Sequence, residues 1–305
     1  MLACAAVSIP PLTRMQSTLL YLATVLIWGS SWLAITYQIG DVEALVSVAH
    51  RMLLATLLCG LITSLREGFA RLNRGDHLRI FVQGLCLFSC NYLFIYAATV
   101  DLSSGLVAVV FSTMVLLNAL GGALFLGNKL SGSVIFGGAL GLLGMGLLFL
   151  PELETLGLED PRLRALGLCF LGTLCASLGN MLAATNIKRG LPVLTCNSWG
   201  MLYGTITLYL AAMVLGVTIK LPMNGAYIGS LAYLALFATV LAFWAYISLI
   251  GRIGPDRAAY STLLFPIVAL LISSVFESYQ WSVYAVAGLA LVLAGNWMAM
   301  RGVRA

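Results

Sequence analysis

Apolar runs of about twenty residues recur from one end of this chain to the other, and no other feature limits its fold so severely. They fall near 18–37, 44–66, 78–99, 104–126, 132–150, 164–187, 193–215, 226–250, 256–276 and 280–300, with short connections between them. About twenty apolar residues in helical form span the hydrocarbon core of a bilayer. Only 9% of the 305 residues are charged and 61% are hydrophobic, whereas soluble domains carry about 25% charge. Too little polar surface is left to coat a globule in water. The runs are continuous and Leu-rich, and they do not alternate over about ten residues, which argues against a β-barrel. The expected fold is an all-α polytopic membrane protein of ten transmembrane helices.

Orientation follows from the basic residues of the connections. One side holds Arg14, Arg66, Arg71, Arg74, Arg79, Lys129, Lys188, Arg189, Arg252, Arg257, Arg301 and Arg304, and the other only Arg162, Arg164 and Lys220. An even number of helices with both termini cytoplasmic fits every connection except the one with Lys220. The net charge of +5 is therefore a topology signal, and no nucleic-acid partner is expected. Seven cysteines at unpatterned spacings and two histidines suggest neither a disulfide framework nor a zinc site. No metal or cofactor is expected. Residues 1–17 lack a basic segment ahead of an apolar core, unlike a signal peptide. They read as a flexible leader, with translation starting at Met1 or Met15.

Shifting the sequence by about 150 residues aligns its halves. Gly29, Ala34 and Gly40 meet Gly179, Ala184 and Gly190, and Phe111-Ser112-Thr113 meets Tyr260-Ser261-Thr262. Gly137 and Gly144 meet Gly288 and Gly295. Five spans per half make the second half inverted relative to the first, a common plan for secondary transporters with a midplane site between the halves. The expected organisation is a first repeat over 18–150, an acidic periplasmic connection over 151–163 and a second repeat over 164–300.

Each half resembles the EamA unit of the drug/metabolite transporter superfamily. The likeness rests on "LIWGSSWLAI", "HRMLLATLL", "SSGLVAVVFSTMVLLNALGGALFLGNKLSG" and "GGALGLLGMGLL" in the first half, and on "RIGPDRAAYSTLLFPIVALLISSVFES" and "AGLALVLAGN" in the second. It implies a ten-helix exporter of amino acids or other small metabolites, similar to the aromatic amino-acid exporters of the YddG type, with spans five and ten at the back of the bundle. The family's proline and terminal glutamate are matched by Pro266 and Glu277, while Leu117 and Asn128 stand at the equivalent places of the first half.

Polar groups inside hydrocarbon are costly and face the bundle interior or a wet cavity. Asn91, Asn118 and Asn180 lie within about two turns of mid-span, and His50 and Arg51 in the outer third of the second span. Arg51 is placed to snorkel toward Glu43 about two turns away. Trp28 and Trp32, Tyr92 and Tyr96, and Trp199 and Tyr203 are each four apart and so share a helix face. Such rings, with Ser31, Trp244 and Tyr260, suit a central cavity better than lipid. Each residue singly also has a packing reading, since a deep Trp fills cores and an Asn joins helices. Gly137, Gly141 and Gly144 form one small-residue packing stripe and Ala287, Ala290 and Ala294 another. Pro266 should kink the ninth span, as a gating point or a static bend.

All eleven acidic residues lie outside the middle of the spans, which argues against a proton-coupled pump for organic cations. His50 is the one intramembrane group whose unperturbed pKa lies near neutrality, and it is the sole visible candidate for proton linkage. Amides, hydroxyls and aromatic faces suit a small zwitterion: rings can hold an ammonium, and amides or Arg51 a carboxylate. Amino acids meet both demands, and nucleosides and other neutral metabolites or drugs meet most of them. An intramembrane enzyme would need a nucleophile–base pair or paired aspartates at depth, and no GxSG, GxGD or HExxH motif occurs. The expected protein is a non-enzymatic carrier in the bacterial inner membrane, a monomer or homodimer, whose partners are a small molecule and the lipid bilayer.

Overall fold

The computed structural model describes residues 14–40, 42–127, 132–148, 150, 160–246 and 261–302, and every regular element within them is a helix. In chain order these are α1 (Arg14–Thr36), α2 (Ala44–Arg66), α3 (Arg74–Ala98), α4 (Ser104–Ser112 and Met114–Leu126, continuous across Thr113), α5 (Gly132–Leu148), α6 (Pro161–Lys188), α7 (Val193–Val214), α8 (Gly225–Tyr246), α9 (Ser261–Phe276) and α10 (Val283–Gly302). Each expected apolar window thus holds a described helix. The sequence-expected leader and most of the acidic connection lie outside the described residues.

Among the described residues, α1, α2, α3, α4, α6 and α8 are long and apolar enough to cross a membrane, while α5 and segments of α9 and α10 are shorter apolar helices. The 22 residues of α7 are diluted by Thr195, Asn197 and Ser198, which are buried against protein. Its polar groups are tolerable because neighbouring helices cover them. Leu53, Leu57, Leu61 and Leu65 of α2, four apart, are 40%, 62%, 57% and 77% exposed, whereas Val48, Met52, Ala55 and Cys59 are buried. A water-facing helix would not present such a leucine stripe, so this is the face that lipid covers.

Helix starts follow ordinary capping chemistry. Asn73 accepts from Asp76 N at 2.9 Å while Asp76 accepts from Asn73 N at 3.2 Å, a reciprocal box at the start of α3. Asp160 accepts from Arg162 N at 2.9 Å and is followed by Pro161 at the first helical turn of α6. The Arg162 side chain, together with that backbone N–H, holds the Asp160 carboxyl below the usual carboxylate range. Gly127, at φ 72°, closes α4 in the left-handed conformation.

The tightest seam joins α5 to α10. A Cβ on Gly144 would lie 2.7 Å from Gly288 O, and one on Gly295 would lie 2.4 Å from Gly137 O, so the two helices run antiparallel with their backbones in contact. Gly288 and Gly295 make this approach, not the alanine stripe expected from the sequence; Ala290 is exposed. Elsewhere α2 packs on α7, α1 on α9, α3 on α6 and α4 on α9. At α1, Gly29 admits Val268 of α9, where a Cβ would meet the valine at 2.6 Å. Pro266 is buried inside α9, which is helical from Ser261 to Phe276.

Two of the described helices depart from α geometry. Residues Cys86–Cys90 of α3 and Tyr233–Leu241 of α8 are π-helical. Such stretches free backbone carbonyls from their usual partners and often mark functional positions.

Candidate functional site

Arg51 is the eighth residue of α2, about 10 Å from its start by helical rise, and its side chain is only 2% exposed. It does not snorkel to Glu43 as expected. That face of α2 is covered by α3 and α8, which draws the guanidinium inward. Nε donates to Thr239 Oγ1 at 3.2 Å, Nη1 donates to Tyr96 OH at 3.5 Å, and the guanidinium carbon lies 4.2 Å from the centroid of the Tyr92 ring. The Thr239 hydroxyl gives its own proton to Leu234 O, five residues back, at 2.8 Å. This bond belongs to the π-helical register, and it leaves an oxygen lone pair for Arg51. Among the described residues the ion pairs join Asp76 to Arg79, Asp160 to Arg162 and Asp76 to Arg189. Arg51 pairs with no carboxylate among the described residues.

A hydroxyl and amide network lies one turn away. The Tyr227 hydroxyl is 3.1 Å from both Ser47 Oγ and His50 Nδ1. Gln38 Nε2 donates to Tyr227 O at 3.1 Å and to Ser230 Oγ at 3.0 Å, while Ser47 Oγ donates to Gln38 O at 2.9 Å. Gln38 Oε1 is buried without a partner among the described residues. The His50 ring also faces Tyr209, at 6.1 Å between centroids.

Trp28 sits next to this group. Its Nε1 donates to Ala238 O at 3.0 Å, and its ring is within 5.3–5.4 Å of Phe243, Tyr246 and Phe265. Ala238 and Thr239 are consecutive, so one π-helical turn of α8 holds both Trp28 and Arg51. In the same "WGSSW" stretch Ser30 Oγ lies 2.6 Å from Tyr233 OH, and Ser31 Oγ donates to Trp28 O at 2.8 Å. Trp32 packs 5.1 Å from Phe111, and its Nε1 is buried without a partner among the described residues.

The three expected asparagines lie on α3, α4 and α6, and α6 packs on the other two helices. Asn180 Nδ2 lies 3.4 Å from Met114 Sδ of α4. Asn118 Oδ1 and Asn91 Oδ1 are buried without partners among the described residues, although Asn91 Nδ2 donates to Leu87 O at 3.4 Å. Trp199 and Tyr203 belong to a separate aromatic group: Tyr203 OH is 2.6 Å from His77 Nδ1, and the Trp199 ring is 5.2 Å from His77 and 6.1 Å from Phe69. A cavity of about 240 Å³ opens there, lined by Thr56, Gly60, Phe69, Ser198, Trp199 and Leu202. Trp244 is 42% exposed, while its neighbour Phe243 packs on Trp28. Tyr260 lies outside the described residues. Sequence reasoning did not single out Tyr227, Thr239, Gln38 or His77, each of which meets a partner more than 120 residues away along the chain. No group of His, Cys, Asp or Glu among the described residues could hold a metal.

Comparison with known proteins bears on this arrangement. Residues 15–150 and again 163–301 match the EamA-like transporter family. An uncharacterized transporter of Archaeoglobus fulgidus is 24% identical over 94% of this chain and 99% of its own length. A probable amino-acid metabolite efflux pump of Escherichia coli is 22% identical over 93% of this chain and 95% of its own. One crystal structure superposes with a TM-score of 0.67 at 16% identity, covering 96% of this chain and 99% of that one, which shows a shared fold. With apolar spans, a lipid-facing leucine stripe and two successive matches to one family, the chain belongs to the EamA-like transporter family and is a multi-pass membrane protein.

Proposed function

We propose that the protein exports small zwitterionic metabolites, most readily amino acids, across the bacterial inner membrane by alternating access. On this reading ten transmembrane helices form two inverted five-helix repeats, with both termini cytoplasmic and the acidic connection outside. The two family matches, over 15–150 and 163–301, support the repeat. So do contacts that fall on equivalent positions. Thr56 and Thr205, 149 residues apart, share a hydrogen bond at 3.1 Å. Gly144 meets Gly288 while Gly137 meets Gly295, and the third helix of each half carries the π-helical stretch.

The observation that carries the cargo assignment is Trp28, deep in α1, held to the π-helical turn of α8 and ringed by Phe243, Tyr246 and Phe265. Aromatic faces stabilise an ammonium and stack with an apolar side chain, and the Arg51 group lies on the same turn. The probable amino-acid efflux role named for the Escherichia coli relative agrees with this reading. Counterflow in proteoliposomes tests it: unlabelled amino acids inside should drive uptake of labelled ones, and Trp28→Ala and Asn118→Ala should lose that uptake while remaining inserted. Normal counterflow in both variants would remove the cavity assignment, and none with any amino acid in the wild type would remove amino acids as cargo.

A further inference from the structure

A guanidinium stays protonated at any physiological pH, and an ion buried without a counter-charge is strongly disfavoured. Arg51 is among the largest fully buried side chains of the protein, yet its partners are two hydroxyls and one aromatic face. Its third nitrogen, Nη2, forms no hydrogen bond with any described residue. Among the described residues the acidic groups are engaged or exposed: Asp76 with Arg79, Asp160 with Arg162, Glu277 with Ser104, and Glu43, Glu67 and Asp101 exposed at helix ends. A fork of donors this deep, with no carboxylate against it among the described residues, has the chemistry that recognises an anion.

We propose that Arg51, together with Tyr96 and Thr239, docks the carboxylate of the cargo, so that the site selects carboxylate-bearing solutes over their amides and amines. This deepens the transporter reading and rests on it. The planar fork suits a carboxylate, which two N–H groups can hold side by side. Tyr96 OH can accept from Nη1 and donate to the same anion. Tyr92 covers the flat face of the guanidinium and leaves its edge for the ligand. Ala238 and Thr239 fix the distance between this edge and the Trp28 rings, so a carboxylate at Arg51 leaves the remainder of the solute facing aromatic surface.

The test is ligand-induced stabilisation of the purified full-length protein in detergent, with 3-phenylpropanoate and L-phenylalanine set against 3-phenylpropanamide and phenethylamine. Wild type should bind the two carboxylates at least tenfold more tightly. Arg51→Gln should erase that preference, and Arg51→Lys should keep a weakened one. Equal shifts for acids and amides in the wild type, or no shift with either acid, would overturn the assignment even if Arg51→Gln failed to fold, as would a preference surviving in Arg51→Gln. Binding of 3-phenylpropanoate without counterflow of any amino acid would remove amino-acid cargo and leave the Arg51 site. Amino-acid counterflow inhibited equally by acid and amide would do the reverse.

Discussion

Replacing Gly295 by alanine puts one methyl group into the seam between α5 and α10. It would lie 2.4 Å from Gly137 O, 2.6 Å from Gly141 N and 3.0 Å from Gly141 Cα. All three atoms are backbone, so no side chain can swing aside. Ordinary contact distances require the helices to part by roughly 1 Å, and the Gly144–Gly288 approach two turns away opens with them. Overpacking of this kind costs about 1–3 kcal/mol, and the rigidity of the seam puts Gly295 near the top of that range. The better helix propensity of alanine returns at most about 1 kcal/mol, leaving a net loss of about 2 kcal/mol. Gly146→Ala, on the partner helix α5 with nothing within 4 Å of its Cβ, gains the propensity and meets no clash. Thermal unfolding in detergent should place Gly295→Ala several degrees below wild type and Gly146→Ala at or above it. Equal unfolding temperatures for the two variants would refute the claim that backbone contact holds this seam.

Two further outcomes follow from the helix ends. The Glu277 carboxylate accepts from Ser104 N at 3.1–3.2 Å and from Ser104 Oγ at 2.5 Å, so it caps α4 from the end of α9; Glu277→Gln should cost about 1–2 kcal/mol, read as a lower unfolding temperature that exposed Glu67→Gln does not share. Because the folded Asp160 carboxyl titrates below its ordinary value, its contribution is complete above about pH 4 and is lost as pH falls through the depressed value. The gap in unfolding temperature between wild type and Asp160→Asn should therefore stay constant from pH 7 to about pH 5 and close only in stronger acid; a gap that closes near neutrality would contradict the assignment.

Helix positions were legible because bilayer thickness imposes one length on every span. The expected window 44–66 coincides with α2 (Ala44–Arg66), and 193–215 differs from α7 (Val193–Val214) by one residue. The positions of Trp28, His50, Tyr96 and Asn91 along their helices were legible for the same reason. Which of them share a site was not. Trp28 and Arg51 meet through a π-helical turn whose register no local pattern announces, and Trp199 and Tyr203 turn toward His77 because α3, not α1, packs on that face of α7. Arg51 was misjudged for a related reason: snorkelling depends on what covers the helix, and a sequence does not display the covering helices. Alanine and glycine are equally small in a stripe, yet only Gly288 and Gly295 lack the one carbon that would keep the α5 and α10 backbones apart.

The hydroxyl pair Thr56–Thr205 has a different kind of consequence. If the two halves exchange conformations during transport, an off-axis contact such as that of Trp28 with Ala238 must break on one face and be rebuilt by its counterpart on the other. A contact between equivalent residues maps onto itself under that exchange. Thr56–Thr205, and the crossed glycine pairs of α5 and α10, can then persist through the whole cycle, like a pivot pin that stays seated while the arms swing. Substitutions there would shift the stability of both facing states together and leave the balance between them unchanged.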